Sequence, residues 1–114
     1  MAKCVMIADD LTGANGSGVL IKKLGLSVIT VMNIERISMK SVEPYDVIAY
    51  PTDSRGIEPE MAYNRVYNSL KFLKNENIKL YAKRIDSTFR GNIGAEIDAM
   101  LDMLGPGYIT ILVP

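Results

Sequence analysis

The feature that most constrains the fold is a repeated alternation between short apolar runs and segments in which apolar residues recur at helical spacing. The apolar runs cover residues 4–8, 27–32, 46–50, 78–85 and 108–113. Helical spacing follows at residues 19–24, 59–75 and 93–104. Runs that are apolar throughout are typical of strands buried on both faces, and parallel strands need helical crossovers between them. We therefore predict an α/β fold, a doubly wound and mostly parallel sheet of about five strands with helices on both faces, in a three-layer αβα arrangement.

Composition fixes the size of the core and excludes several classes of function. The 114 residues are 48% apolar and 23% charged, which suits one globular domain with a buried core. Lys plus Arg and Asp plus Glu number 13 each, so no overall positive field favours nucleic acid or a membrane surface. The chain has no His and one Cys, which we expect to be a packed thiol, so zinc sites and Ser-His or Cys-His catalysis lack their residues.

The two ends of the sequence lead to expectations about location and length. Residues 1–5 enter the first apolar run without the apolar core of a signal peptide, and no run approaches the ~20 apolar residues that span a bilayer. We expect a cytoplasmic protein. The last apolar run stops at Val113-Pro114 with nothing after it to continue the fold, so we expect residues 1–114 to be one domain of a longer, two-domain protein.

Polar residues collect at three turns, each of which follows an apolar run. Asp9-Asp10 and the glycine-rich stretch 11–18 form the first turn, residues 52–55 the second, and residues 83–96 the third. The carboxyl ends of parallel strands form one rim of a sheet, so the three turns should converge although they are far apart in sequence. This arrangement predicts a shared site for a small anion.

The third turn carries the densest chemistry. Lys83, Arg84 and Arg90 are suited to bind a carboxylate or phosphate, and arginine can do so through a bidentate fork. We expect the turn to lead straight into a helix, whose positive dipole end would favour an anion. The alternative is a polar connection in which Asp86 or one of the hydroxyls after it only caps that helix.

The first turn also allows two interpretations. Adjacent carboxylates at a strand end can bind substrate hydroxyls, coordinate Mg²⁺ or act as a base, or they can be solvated or cap a helix. Residues 13–18 resemble a phosphate-cradling turn, and we expect the helix to begin after them, at Val19. They match neither the dinucleotide fingerprint nor the Walker A pattern, so the stretch does not support an NAD or P-loop site.

Three segments together resemble the amino-terminal domain of the four-carbon acid sugar kinase family. They are Ile-Ala-Asp-Asp-Leu-Thr-Gly-Ala-Asn at 7–15, Thr-Asp-Ser-Arg at 52–55, and Lys-Arg-Ile-Asp-Ser-Thr-Phe-Arg-Gly-Asn-Ile-Gly-Ala-Glu-Ile at 83–97. That family phosphorylates acid sugars such as threonate and erythronate with ATP. Its amino-terminal domain binds the sugar acid, and a carboxy-terminal domain carries most of the nucleotide site. The resemblance therefore implies the substrate-binding half of an ATP-dependent kinase, with ATP and Mg²⁺ held mainly by a domain absent from residues 1–114, which alone should be inactive.

The resemblance also implies which side chains line the sugar-acid site. They are Asp9, Asp10, Arg55, Lys83, Asp86, Ser87, Thr88 and Arg90. Asp10 is the candidate catalytic residue, and no metal ligand is predicted. The expected partner is a small-molecule sugar acid, without nucleic acid or membrane. The family commonly has an acidic residue after the Ala-Asn pair, where this chain has Gly16, so no role of that carboxylate carries over.

Two other classes of protein fit part of the pattern. A phospho-acceptor receiver domain has about this length, an acidic pair after its first strand and an Asp after its third. Such a domain should have Lys before Pro at the end of its fifth strand, where this chain has Val113-Pro114, and Asp53 lies beyond Pro51 instead of at the strand tip. A non-catalytic small-anion-binding α/β module is the alternative if no nucleotide domain exists.

Overall fold

The computed structural model describes residues 2–113, and its elements alternate between strand and helix along the chain. The strands are β1 (Cys4–Ala8), β2 (Val28–Thr30), β3 (Val47–Pro51) and β4 (Leu80–Arg84). The helices are α1 (Leu11–Lys23), α2 (Met39–Val42), α3 (Pro59–Leu73) and α4 (Ile93–Leu104), with a short 3-10 helix at Ile34–Arg36. None of the helices within residues 2–113 combines the length and hydropathy that crossing a bilayer requires.

The sheet is parallel, in the order β2-β3-β1-β4. Ala8 at the end of β1 pairs in register with Pro51 of β3 and with Arg84 of β4. The three strands therefore end level, and the turns that follow them share one rim, with β1 in the middle. This confirms the predicted α/β class and the parallel sheet.

The two faces of the sheet carry separate cores, and β1 shows how the alternation of side chains divides them. Val5 and Ile7 pack in the larger core with side chains of α3 and α4. Met6 and Ala8 pack on the opposite face with Ala14 of α1. Helices thus cover both faces, as a strand that is apolar throughout requires.

The glycine-rich stretch 11–18 is helical, so the predicted loop and the predicted helix start at Val19 are wrong. α1 begins at Leu11 because Asp10 is its N-cap and accepts a hydrogen bond from the Gly13 backbone N–H at 2.7 Å. A Cβ at Gly13 would lie 2.8 Å from Asp10 Oδ1 and 3.3 Å from Arg84 Cγ. Glycine is therefore needed for close packing inside a helix, and the stretch offers no phosphate-cradling loop.

The predicted fifth strand is also absent from the described chain, because residues 108–113 pair with no strand. The ring of Tyr108 meets that of Tyr81 edge to face at 5.9 Å, but Ile109 and Ile111 are 85% and 81% exposed. The segment borders an apolar groove of about 630 Å³ beside β4 and α4. A parallel strand is buried on both faces, whereas these apolar side chains are largely exposed.

Candidate functional site

The first turn places its two carboxylates differently. The Asp9 side chain is almost fully buried, with 3% of its surface exposed, whereas the Asp10 side chain is 31% exposed. One oxygen of Asp10 caps α1, so the helix-capping interpretation of this residue is confirmed. Its other oxygen faces the neighbouring turn, so capping and a role at the rim are compatible.

Arg55 of the second turn joins all three turns. Its Nε and Nη2 atoms donate to the two oxygens of Asp9 at 3.0 and 3.1 Å, which is bidentate geometry. Nη2 also lies 3.4 Å from Asp10 Oδ2 and 3.6 Å from Asp86 Oδ1. The hydrogen bond to Asp9 raises the pKa of Arg55 further above its already high value. The predicted convergence of the three turns is confirmed by these distances.

Between the end of β4 at Arg84 and the start of α4 at Ile93, the third turn is a loop, residues 85–92. This loop is built around Asp86. The backbone N–H groups of Thr88 and Arg90 donate to Asp86 Oδ2 at 3.0 and 3.2 Å, and the Thr88 hydroxyl donates to the same atom. Arg90 donates from Nε to Oδ2 at 3.0 Å and from Nη2 to Oδ1 at 2.9 Å. The Arg90 guanidinium, followed by the Thr88 hydroxyl, holds the pKa of Asp86 far below its usual range.

The helix after this loop begins at Ile93, where the helical spacing over residues 93–104 predicts it. α4 starts at Ile93 behind Asn92, so Asp86, Ser87 and Thr88 do not cap it, and the capping alternative for this turn is wrong. Asp86 accepts hydrogen bonds from the backbone N–H groups of Thr88 and Arg90, and these close a local turn between β4 and α4.

The backbone of the 85–92 loop lies close to the Asp9–Arg55 ion pair. Gly91 has a φ of 97°, and a Cβ there would lie 3.1 Å from Asp9 Oδ2 and 3.2 Å from Arg55 Cγ. Phe89, two residues earlier, is held at a φ of 60°, which is uncommon for an aromatic residue. Glycine at 91 thus lets the third turn approach the ion pair closely.

The second turn is fixed from α3 and from the start of α4. Arg65 Nη1 donates to the carbonyl oxygens of Thr52 and Asp53 at 3.2 and 2.7 Å. Asn92 Nδ2 donates to the carbonyl oxygens of Ser54 and Ile57 at 2.9 and 2.8 Å. Neither was among the predicted site residues: a helical Arg such as Arg65 is most often solvated, and Asn92 lies in the third turn among charged residues that were given the roles there.

A buried polar layer lies directly beneath the rim. The Lys83 side chain is 8% exposed, and its Nζ donates to the Arg84 carbonyl oxygen at 3.0 Å and lies 3.6 Å from Glu96 Oε1. Glu96 Oε1 also accepts from the Ser54 hydroxyl at 2.5 Å. Lys83 therefore underlies the site, and Glu96 belongs to its support although it was not among the predicted site residues. The available signal was its position on the apolar side of α4, one helical turn before Met100.

The remaining predicted residues form the solvent-facing surface of the rim. Ser87 and Thr88 are exposed, and the Arg90 side chain is 67% exposed. Arg55 and Arg90 each use Nε and Nη2 for carboxylates, and the Nη1 group of each has no hydrogen-bond partner among residues 2–113. Two oriented guanidinium groups beside hydroxyls and the Asp10 carboxylate can hold a small hydroxy acid.

The carboxylates at this rim do not fit a magnesium site. Asp9 and Asp86 already have both oxygens bonded to arginine, which a cation would have to displace. Within the described part of the chain, no three Asp, Glu, His or Cys residues are grouped to hold a metal ion. The arginines instead occupy the place that a cation would take.

The model of the family "sugar-binding N-terminal domain" matches residues 4–114. The D-erythronate kinase of Heliobacterium modesticaldum is 45% identical over 113 residues, which cover 99% of this chain and 26% of that enzyme. The D-threonate kinase of Salmonella typhimurium is 38% identical over 100 residues, 87% of this chain and 23% of that enzyme. The chain thus spans about a quarter of the length of these curated relatives.

A solved structure shares the fold. It is a crystal structure of a domain of unknown function from Bordetella bronchiseptica, a domain-swapped dimer with bound citrate. The match has a TM-score of 0.77 and 30% sequence identity, and covers 84% of this chain and 24% of that one. Since the family match runs from residue 4 to residue 114, the chain belongs to the family of sugar-binding N-terminal domains.

Proposed function

We propose that this domain binds a four-carbon sugar acid of the threonate or erythronate type, as the substrate-binding part of an ATP-dependent kinase. The observation that carries the proposal is the convergence of Arg55, Arg90 and Asp10 on one rim. A sugar acid presents a carboxylate at one end and hydroxyls along the rest, and the rim offers oriented guanidinium groups for the first and a carboxylate for the second. The pair of arginines favours this function over a phospho-acceptor receiver domain, whose function does not require them.

The comparisons support this choice of ligand class. Two relatives that cover nearly the whole chain are named as kinases of D-erythronate and D-threonate. Citrate, bound in the structural neighbour, is also a small acid that carries both carboxylate and hydroxyl groups. The substrate that we propose for the present chain belongs to the same chemical class, and we assign the whole enzyme to the transferases of carbohydrate metabolism, in the cytoplasm.

Each group at the rim has a role in this proposal. Asp9 and Asp86 fix the two guanidinium planes, and the Nη1 groups of Arg55 and Arg90 bind the substrate carboxylate. Asp10, the most exposed of the three carboxylates, accepts a proton from the substrate hydroxyl. ATP and Mg²⁺, held by a second domain outside residues 1–114, would supply the phosphoryl group and neutralise its charge.

The test of the ligand class is calorimetric titration of the chain with D-erythronate, D-threonate and the matched neutral polyols erythritol and threitol. We expect the acids to bind and the polyols to bind at least about tenfold more weakly, since they lack the carboxylate for the arginines. With ATP and Mg²⁺ added, the isolated chain should transfer no phosphoryl group. Equal affinity for acid and polyol would contradict the proposal.

Arg90→Ala is expected to weaken sugar-acid binding by roughly 10- to 100-fold, because a charge-assisted contact to the substrate carboxylate is lost. Titration calorimetry measures the loss, and Arg36→Ala, which removes an exposed arginine from the 3-10 helix, is the matched control. Unchanged affinity in Arg90→Ala would reduce Arg90 to a clamp for Asp86.

A further inference from the structure

Glu96 is a fully buried carboxylate whose bonding is incomplete. Its exposed fraction is 0%, and its Oε2 atom has no hydrogen-bond partner in the described chain. A buried carboxylate with an unpartnered oxygen is costly, so a helix that only had to pack against the sheet would carry an apolar residue there. The charge of Glu96 therefore requires a reason in what it touches.

Its contacts all lead to the rim. The Ser54 hydroxyl donates to Glu96 Oε1, and the Thr52 hydroxyl lies 2.6 Å from that of Ser54 and 3.0 Å from the Ala8 carbonyl oxygen. Ser54 directly precedes Arg55, and Ala8 directly precedes Asp9. Glu96 thus connects the first two turns from below.

The Glu96 carboxylate faces Lys83, which lies in β4 directly before Arg84. The charged groups around Lys83 are Glu96 of α4 at 3.6 Å, Asp9 after β1, and Arg55 of the second turn, which opposes the lysine charge. Burial lowers the pKa of Lys83, and Glu96 is the strongest influence in the other direction. If the charge of Glu96 is removed, Lys83 stays buried, and Asp9 is the one group of these three that still attracts its charge.

We propose that Glu96 is a positioning residue of the sugar-acid site, whose charge keeps Lys83 cationic beneath the rim and whose Oε1 atom anchors the turn that carries Arg55. The inference rests on the proposed function for its ligand. In this inference, Lys83 is a buried positive charge that attracts the substrate anion, and Glu96 maintains that charge.

The variant that isolates the charge is Glu96→Gln, because glutamine keeps the size and an oxygen acceptor for Ser54. Two quantities are measured in the parent and the variant: the titration of Lys83 by NMR of ¹³C-labelled lysine, and the affinity for D-erythronate from pH 6 to 9. We expect Lys83 to lose its proton at a lower pH in Glu96→Gln than in the parent. The affinity of the variant for D-erythronate should therefore begin to fall at a lower pH than that of the parent. By pH 9 the variant should bind about tenfold more weakly than the parent.

Two further variants separate charge from packing. Ser54→Ala removes a hydrogen bond to Glu96 and keeps the charge, so it should weaken binding at every pH without moving the Lys83 titration. Glu60→Gln removes an exposed carboxylate from α3 and should change neither quantity.

The outcomes distinguish this inference from the proposed function. An unchanged Lys83 titration in Glu96→Gln, or a parent in which Lys83 is already neutral at pH 7, would overturn the inference and leave the ligand class standing. The second result needs only the parent, so it holds even if the variant does not fold. Failure of the parent to bind any sugar acid would overturn the proposed function and the role of Glu96 with it.

Discussion

Arg55→Met is expected to abolish measurable sugar-acid binding, with a loss of at least about 100-fold, and to destabilise the domain. Its guanidinium contacts Asp9, Asp10 and Asp86, so its removal leaves three carboxylates close together with Arg90 as the remaining arginine among them. Truncating one partner of a desolvated charge pair costs several kcal/mol of binding free energy in comparable sites. Methionine keeps much of the aliphatic stem, so the effect reports on the charge.

The stability part of this prediction is smaller than for a fully buried ion pair. Breaking a buried pair costs about 3–5 kcal/mol, but 30% of the Arg55 side chain is exposed, so we expect about 2 kcal/mol and a melting temperature lower by roughly 8 °C. Thermal denaturation measures this, with Arg36→Met as the exposed-arginine control. A melting temperature and an affinity equal to those of the parent would show that Arg55 does not organise the site.

The pH dependence of that loss has a definite sign. The Arg90 guanidinium and then Thr88 hold the pKa of Asp86 below its usual range, so this group contributes stability above about pH 4 that is lost as the pH falls through its folded pKa. Arg55 Nη2 lies 3.6 Å from Asp86 Oδ1 and attracts the ionised form of this carboxylate, and Arg55→Met loses that attraction. The difference in stability between parent and variant should therefore be largest where Asp86 is ionised, and should shrink only as the pH falls through its folded pKa, well below the usual range of Asp.

The convergence of the three turns could be predicted from sequence because it depends only on topology. Once apolar runs and helical segments alternate, the strands are parallel and their carboxyl ends share a rim. The bonding within the rim could not be predicted in the same way. Whether Arg55 takes Asp9, Asp10 or Asp86 as its main partner depends on angles and distances that the spacing of residues does not determine.

Two errors have local physical causes. Glycines indicate a loop by their low helix propensity, which costs about 1 kcal/mol each, but the Asp10 cap and the packing of Ala14 against Met6 and Ala8 of β1 favour the helix. The apolar run 108–113 has the composition of a strand, yet a strand also needs a partner edge and cover on both faces. The composition of a segment shows neither the partner edge nor the cover.

Lys83 was among the predicted site residues, but its burial and its pairing with Glu96 were not predicted, for a different reason. A glutamate in a helix and a lysine at the end of a strand are usually solvated, and each alone gives no reason to expect otherwise. What pairs them is the alternation along β4, which turns Lys83 toward the α3 and α4 face while Arg84 faces α1. Recognising this requires the packing partner of each sheet face, which only the structure supplies.

Asp10→Asn is expected to lower turnover by about 100- to 10,000-fold while changing sugar-acid affinity by less than about threefold. Asparagine keeps an oxygen acceptor for the Gly13 N–H, so α1 retains its cap and the fold is preserved. The variant removes the carboxylate charge that faces Arg55 Nη2 at 3.4 Å and, with it, the proposed proton acceptor for the substrate hydroxyl. Asp9 cannot replace it, because both of its oxygens are bonded to Arg55 and its side chain is buried.

The measurement is steady-state kinetics on the chain joined to the nucleotide-binding domain of a relative, since transfer requires ATP held in line with the hydroxyl. Calorimetry on the same protein separates binding from turnover, and Asp98→Asn on the exposed side of α4 is the matched control. Asp10→Ala should lose the helix cap as well, so it should lower the melting temperature where Asp10→Asn does not. If turnover and affinity fall by the same factor in Asp10→Asn, Asp10 binds the substrate without taking its proton, and the base must be sought outside this domain.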